Sequence, residues 1–69
     1  MKMRGLIKWY KPKKGYGYIV GADGELYYFE LINCINKNEL FIMGDEVLFV
    51  PVFEGEYAKQ VEKVSYEQY

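Results

Sequence analysis

Apolar residues in this chain come in short runs that a turn signal cuts off before any run reaches helical length. Lys11-Pro12-Lys13-Lys14-Gly15 breaks the first run and Ala22-Asp23-Gly24 the second. Met43-Gly44-Asp45 precedes a fourth run, and Glu54-Gly55-Glu56 a fifth. The pattern predicts five strands, at about residues 5 to 10, 15 to 21, 25 to 30, 46 to 53 and 57 to 64. Residues 31 to 43 form the only long connection; they have room for a short helical turn but carry no clean helical period. There is no repeat, linker or low-complexity tract. Five short strands with one long return connection predict an all-β domain, a five-stranded antiparallel barrel that closes, or nearly closes, on itself and so hides its edges.

Within that frame, residues 14 to 19 read Lys-Gly-Tyr-Gly-Tyr-Ile. Alternation along a strand puts Tyr16 and Tyr18 on one face and Gly17 and Ile19 on the other. Two rings on a solvated face make a stacking surface, and the bases of a single nucleic-acid strand are flat, sequence-tolerant partners for it. In the first strand, the same alternation lets Ile7 and Trp9 both point inward, which would make Trp9 a core residue.

Composition narrows the classes. The chain has 69 residues, one cysteine and no histidine. Such a small domain relies on packing, since an intrachain disulfide is impossible and a tetrahedral zinc site lacks ligands. The free thiol, together with an opening Met-Lys-Met-Arg-Gly that lacks the apolar core of a signal peptide, leads us to expect a cytoplasmic protein. No apolar stretch is long enough to span a bilayer. The net charge is −1, which by itself argues against a polyanion partner. The charges are segregated, however. Lys2, Arg4, Lys8, Lys11, Lys13 and Lys14 all precede the first acidic residue, Asp23, and only Lys37, Lys59 and Lys63 follow it. Lysines interleaved with Trp9, Tyr10, Tyr16 and Tyr18 combine a phosphate-attracting field with stacking rings.

The stretch Gly5-Leu6-Ile7-Lys8-Trp9-Tyr10-Lys11-Pro12-Lys13-Lys14-Gly15-Tyr16-Gly17-Tyr18-Ile19 resembles, without a gap, the opening of a bacterial cold-shock domain. That pattern is Gly-x-Val-Lys-Trp-Phe, three residues, then Lys-Gly-[Phe/Tyr]-Gly-[Phe/Tyr]-Ile. Downstream, Gly44-Asp45-Glu46-Val47-Leu48-Phe49 is similar to the family's Gly-x-x-Val-x-Phe, and Ala58-Lys59-Gln60-Val61 to its closing Ala-x-x-Val. The resemblance covers about residues 4 to 64 and leaves residues 65 to 69 as an expected frayed tail. It implies an OB-type barrel that binds single-stranded RNA or DNA and loosens base-paired structure, with Lys8, Trp9, Lys14, Tyr16 and Tyr18 on the ligand face. Lys8 and Trp9 are adjacent, so sharing that face requires a bulge or strong twist.

The third strand departs from the family, whose motif there is Val-Phe-Val-His-Phe; this chain offers Leu26-Tyr27-Tyr28-Phe29-Glu30. Ungapped alignment shifts the motif by two and turns Tyr28 and Glu30 inward, and an unpaired inward carboxylate is expensive. A shorter hairpin at Asp23-Gly24 avoids that cost. It faces Leu26 and Tyr28 in, sets Tyr27 and Phe29 out as further stacking rings, and leaves Glu30 at the strand end near the ligand, where it repels phosphate.

Catalysis finds no support. There is no threonine, the single serine is Ser65, and Cys34 has no evident base. Cys34 reads as a small buried apolar residue. Glu54 and Glu56 read as solvated turn carboxylates. Gly15 and Gly17 lead into no helix and so form no phosphate loop; they permit close approach of a base or a neighbouring strand. The expectation is a non-enzymatic monomer or weak dimer without cofactor or metal, binding single-stranded RNA or DNA as an RNA chaperone or cold-shock-type regulator. Its expected contacts are Lys8, Trp9, Tyr10, Lys14, Tyr16, Tyr18, Tyr27 and Phe29. The alternative is a small-barrel protein-interaction module, since exposed aromatics and an acidic second half also suit a protein partner.

Overall fold

The computed structural model describes residues 1 to 64; the expected tail at residues 65 to 69 lies outside them. Five strands follow in chain order: β1 (Met3–Lys11), β2 (Tyr16–Gly21), β3 (Leu26–Glu30), β4 (Glu46–Val52) and β5 (Tyr57–Lys63). A single 3-10 turn, Leu31–Asn33, follows β3. The strands close into a barrel in the order β1-β2-β3-β5-β4, with β4 returning to β1.

The closed, mostly antiparallel five-stranded barrel is the one expected, with one parallel pair in it: β3 and β5, paired at Tyr28 and Tyr57. The long connection carries the chain across the barrel, so β5 returns in the direction of β3. Beyond the 3-10 turn the same seam continues. Cys34 bridges Val61, and the Ile35 N–H donates to the Val61 carbonyl at 2.9 Å. Lys63 ties down the rest of the connection by donating to the Leu40 carbonyl at 2.6 Å while pairing with Asp45 at 3.2 Å.

Inside lie Ile7, Ile19, Tyr27, Phe29, Val47 and Phe49, all with essentially no exposure. Gly17 is what lets β1 close over this core. A Cβ there would stand 2.3 Å from the Trp9 carbonyl oxygen and 3.2 Å from the Phe29 ring, so the neighbour it accommodates is a strand. Cys34 is buried, as expected of a small apolar residue, and burial pushes its thiol up to about 11.

β3 settles in neither of the expected registers. Tyr27 and Phe29 are buried, whereas Leu26 is exposed and Tyr28 is half-buried on the outer face. The reason is cross-strand. In the β2–β3 hairpin Ile19 stands opposite Tyr27, Gly17 opposite Phe29, and Tyr18 opposite Tyr28. Residues directly opposite share a face, so the inward Ile19 carries Tyr27 in with it. Burying two rings removes more apolar surface from water than burying one leucine and one ring. The Tyr27 hydroxyl is satisfied at the barrel end, where it donates to Asp23 at 2.6 Å. That bond pushes the Tyr27 phenol up to about 12 and holds the Asp23 carboxyl below its ordinary value.

Candidate nucleic-acid interface

β1 carries one extra residue at its centre. Ile7 pairs with Ile19, but Trp9, two residues on, pairs with Tyr18, only one residue back along β2. The bulge at Lys8 breaks the alternation, so Ile7 stays in the core while Trp9 emerges on the outer face and Lys8 is exposed. The bulge anticipated for the adjacent Lys8 and Trp9 is therefore present, and the core placement of Trp9 is not.

Four rings then gather on the outside of β1, β2 and β3. Trp9 lies 5.5 Å from Tyr16 and 5.2 Å from Tyr18, centroid to centroid. Tyr28 closes the circuit at 5.9 Å from Tyr16 and 5.6 Å from Tyr18. The four are tilted or edge-on to one another, each half-buried, so they support each other and still show ring surface to solvent. Lys11 reaches over the Trp9 indole at 5.7 Å.

Three of the expected contacts turn inward instead. Tyr27 and Phe29 belong to the core and present no surface to a ligand. Tyr10, the residue after the emergent Trp9, returns to the inner side, where its ring stacks on Phe29 at 5.6 Å and 9° and meets Phe41 edge-on at 5.4 Å. Burial raises its phenol above the ordinary value. Tyr28 is the aromatic that sequence reasoning missed. The available signal was the partner of Ile19, since an inward Ile19 in this hairpin requires an outward Tyr28.

The basic residues also divide. Lys2 pairs with Glu62 at 3.3 Å and Arg4 with Glu46, which spends their charge within the fold. Among the described residues no carboxylate pairs with Lys8, Lys11, Lys13 or Lys14. Lys13 and Lys14 sit in the β1–β2 turn, closed by the Gly15 N–H donating to the Lys11 carbonyl at 2.7 Å. The Leu31 N–H donates to the Gly15 carbonyl at 2.8 Å and so ties this basic turn to the end of β3.

At that end stands Glu30, exposed, with its backbone opposite Tyr16. The Tyr28 hydroxyl donates to its carboxylate at 2.8 Å, which raises the Tyr28 phenol above the ordinary value. Among the described residues the site is thus an aromatic platform, lysines that no carboxylate pairs, and the anchored Glu30 carboxylate at its margin. Among the described residues no cluster of His, Cys, Asp or Glu is arranged to hold a metal ion, and no helix is long and apolar enough to cross a membrane.

No family model matches the chain. It is 42% identical over 44 residues to the cold shock-like protein CspJ of Salmonella typhimurium, a match spanning 64% of this chain and 63% of that one. Over that span the chain is similar to the cold shock-like proteins. CspG of Escherichia coli is 42% identical over 44 residues, and CspI of the same organism 42% over 38 residues, or 55% of this chain and 54% of that one. The matches span somewhat under two thirds of these cold shock-like relatives. Against the family's third-strand motif, the observed register differs by one residue from the two-residue shift considered above. Tyr28 takes the place of the motif's first phenylalanine, Glu30 that of its histidine, and Leu31 that of its final aromatic. The charge therefore stands where that motif has its histidine.

Proposed function

We propose that this chain is a non-enzymatic, cytoplasmic binder of single-stranded RNA or DNA, a monomer or weak dimer that needs no cofactor. It acts as an RNA chaperone or cold-shock-type regulator of transcription or translation. The observation that carries this reading is the ring circuit of Trp9, Tyr16, Tyr18 and Tyr28 beside lysines that no carboxylate among the described residues pairs. Bases stack on the rings, and Lys8, Lys14 and their neighbours meet the phosphates. A platform of this kind offers bases held in a duplex nothing until they are unpaired, which is how single-strand binding loosens secondary structure. The protein-interaction alternative draws on one observation, the exposed Ile32, Leu40, Ile42 and Met43 of the long connection.

Trp9 is the only tryptophan, and it serves as the reporter. Short oligo-pyrimidine strands are expected to quench its fluorescence substantially and saturably, and matched duplex to quench it far less. Binding detected independently with Trp9 emission unchanged would remove the indole from the ligand face. No binding of any of several single strands at low salt would transfer the function to the protein-interaction alternative.

The lysines are tested by salt. With three or four phosphate contacts, a plot of log K against log salt should slope at about −2 to −3, at roughly 0.7 per contact on a single strand. Lys14→Gln is expected to flatten the slope by about one contact's share. An unaltered slope would show that Lys14 is merely solvated.

A further inference from the structure

From the geometry we infer that Glu30 is a base reader, selecting guanine on the bound strand by accepting the paired donors of its Watson–Crick edge. The inference rests on single-strand binding at this face and names what that face prefers.

The Tyr28 hydroxyl holds the carboxylate by donating to Oε2 at 2.8 Å, and the Asn33 side chain fixes the backbone that carries it by accepting the Glu30 N–H at 2.9 Å. A carboxylate offers about four acceptor positions, so capacity remains for two further donors after these contacts. Because Tyr28 is itself a platform ring and Tyr16 is the residue across the strand pair, the carboxylate stands at the margin of the stacking surface, beside the edge of a base lying on those rings. Such an acceptor is already oriented and costs little to order on binding.

Among the described residues no lysine or arginine pairs with Glu30, so its charge opposes phosphate unless donors satisfy it. The bases differ in what they present. Guanine offers N1–H and the 2-amino group side by side, which matches the two oxygens of a carboxylate. Uracil and thymine offer one N–H between two carbonyl oxygens that a carboxylate repels. Cytosine and adenine each offer one amine beside an acceptor. Unstacked single strands expose these edges for reading, and charge-assisted pairs of this kind are the strong ones.

Simple repulsion and base reading predict opposite signs for Glu30→Gln on a strand that carries guanine. If the carboxylate only repels phosphate, the substitution tightens every oligonucleotide alike. If it reads guanine, oligo-pyrimidine tightens modestly, most visibly at low salt, while a strand with guanine in the reading position weakens.

The experiment is a titration of a short oligo-thymidine series in which one guanine is moved through every position, followed by Trp9 quenching and an independent binding assay. The expected result is one position at which guanine improves the wild-type affinity by roughly 5- to 100-fold. Hypoxanthine there, lacking the 2-amino group, is expected to lose much of the gain, and Glu30→Gln nearly all of it. Tyr28→Phe keeps the ring but removes the anchor, so the ratio of guanine-strand to oligo-thymidine affinity should fall part of the way towards that of Glu30→Gln. Oligo-thymidine binding with no gain from guanine at any position, or a gain that survives Glu30→Gln, overturns base reading and leaves single-strand binding intact. Absence of binding to the whole series overturns both.

Discussion

Replacing Phe29 with alanine should leave the domain largely unfolded at room temperature. The ring is fully buried, stacks on Tyr10 and meets Phe41 edge-on, so its removal opens a cavity where two other rings lose their support. Phenylalanine-to-alanine changes in cores cost about 3 to 5 kcal/mol. A domain of this size without an intrachain disulfide holds roughly that much in total. Urea or thermal unfolding followed by circular dichroism measures the loss. A Phe29→Ala protein that melts like the wild type but no longer binds oligonucleotide would put Phe29 outside and overturn the β3 register.

Its neighbour should behave in the opposite way. Tyr28→Ala is expected to weaken single-strand binding by about 1 to 3 kcal/mol, as removal of one stacking ring does, with little change in the unfolding midpoint. Tyr18→Ala should do the same, since its ring contacts among the described residues are with the outer-face Trp9 and Tyr28. The two are in mutual contact at 5.6 Å, so the double variant should fall short of the sum of the singles. Binding measured alongside unfolding separates the roles. Loss of fold on Tyr28→Ala would make its ring structural, and unchanged affinity would take it off the ligand face.

Adjacent residues with opposite phenotypes show where sequence reading stops. Positions 26 to 29 are Leu, Tyr, Tyr and Phe, all able to bury apolar surface, so alternation within β3 does not say which pair faces in. The inverted reading faced Leu26 and Tyr28 in because it chose its register to spare the core an unpaired Glu30. It gave no weight to Asp23, four residues upstream of Tyr27, which satisfies the one polar atom that makes an inward tyrosine costly. The charge pattern was similarly incomplete. Lys2 and Arg4 belong to the basic segment in the sequence, but their partners Glu62 and Glu46 come from strands far along the chain.

What the sequence determined by itself was local. Turn residues set the five strands to within a residue or two, the period of two put Tyr16 and Tyr18 together, and the cold-shock-like opening marked Trp9 for the outside against its own alternation. Each of these depends on neighbours a few positions apart, or on a motif that encodes its bulge. The tertiary structure alone decided the direction of every β3 side chain, the parallel β3–β5 seam, the inward turn of Tyr10 and the carboxylates that Lys2 and Arg4 meet. Those depend on which residue lies across a strand pair or closes the barrel. The free energy that selects among them is the burial of Tyr27 and Phe29 against β1 and β2, a quantity that exists only once the strands have met.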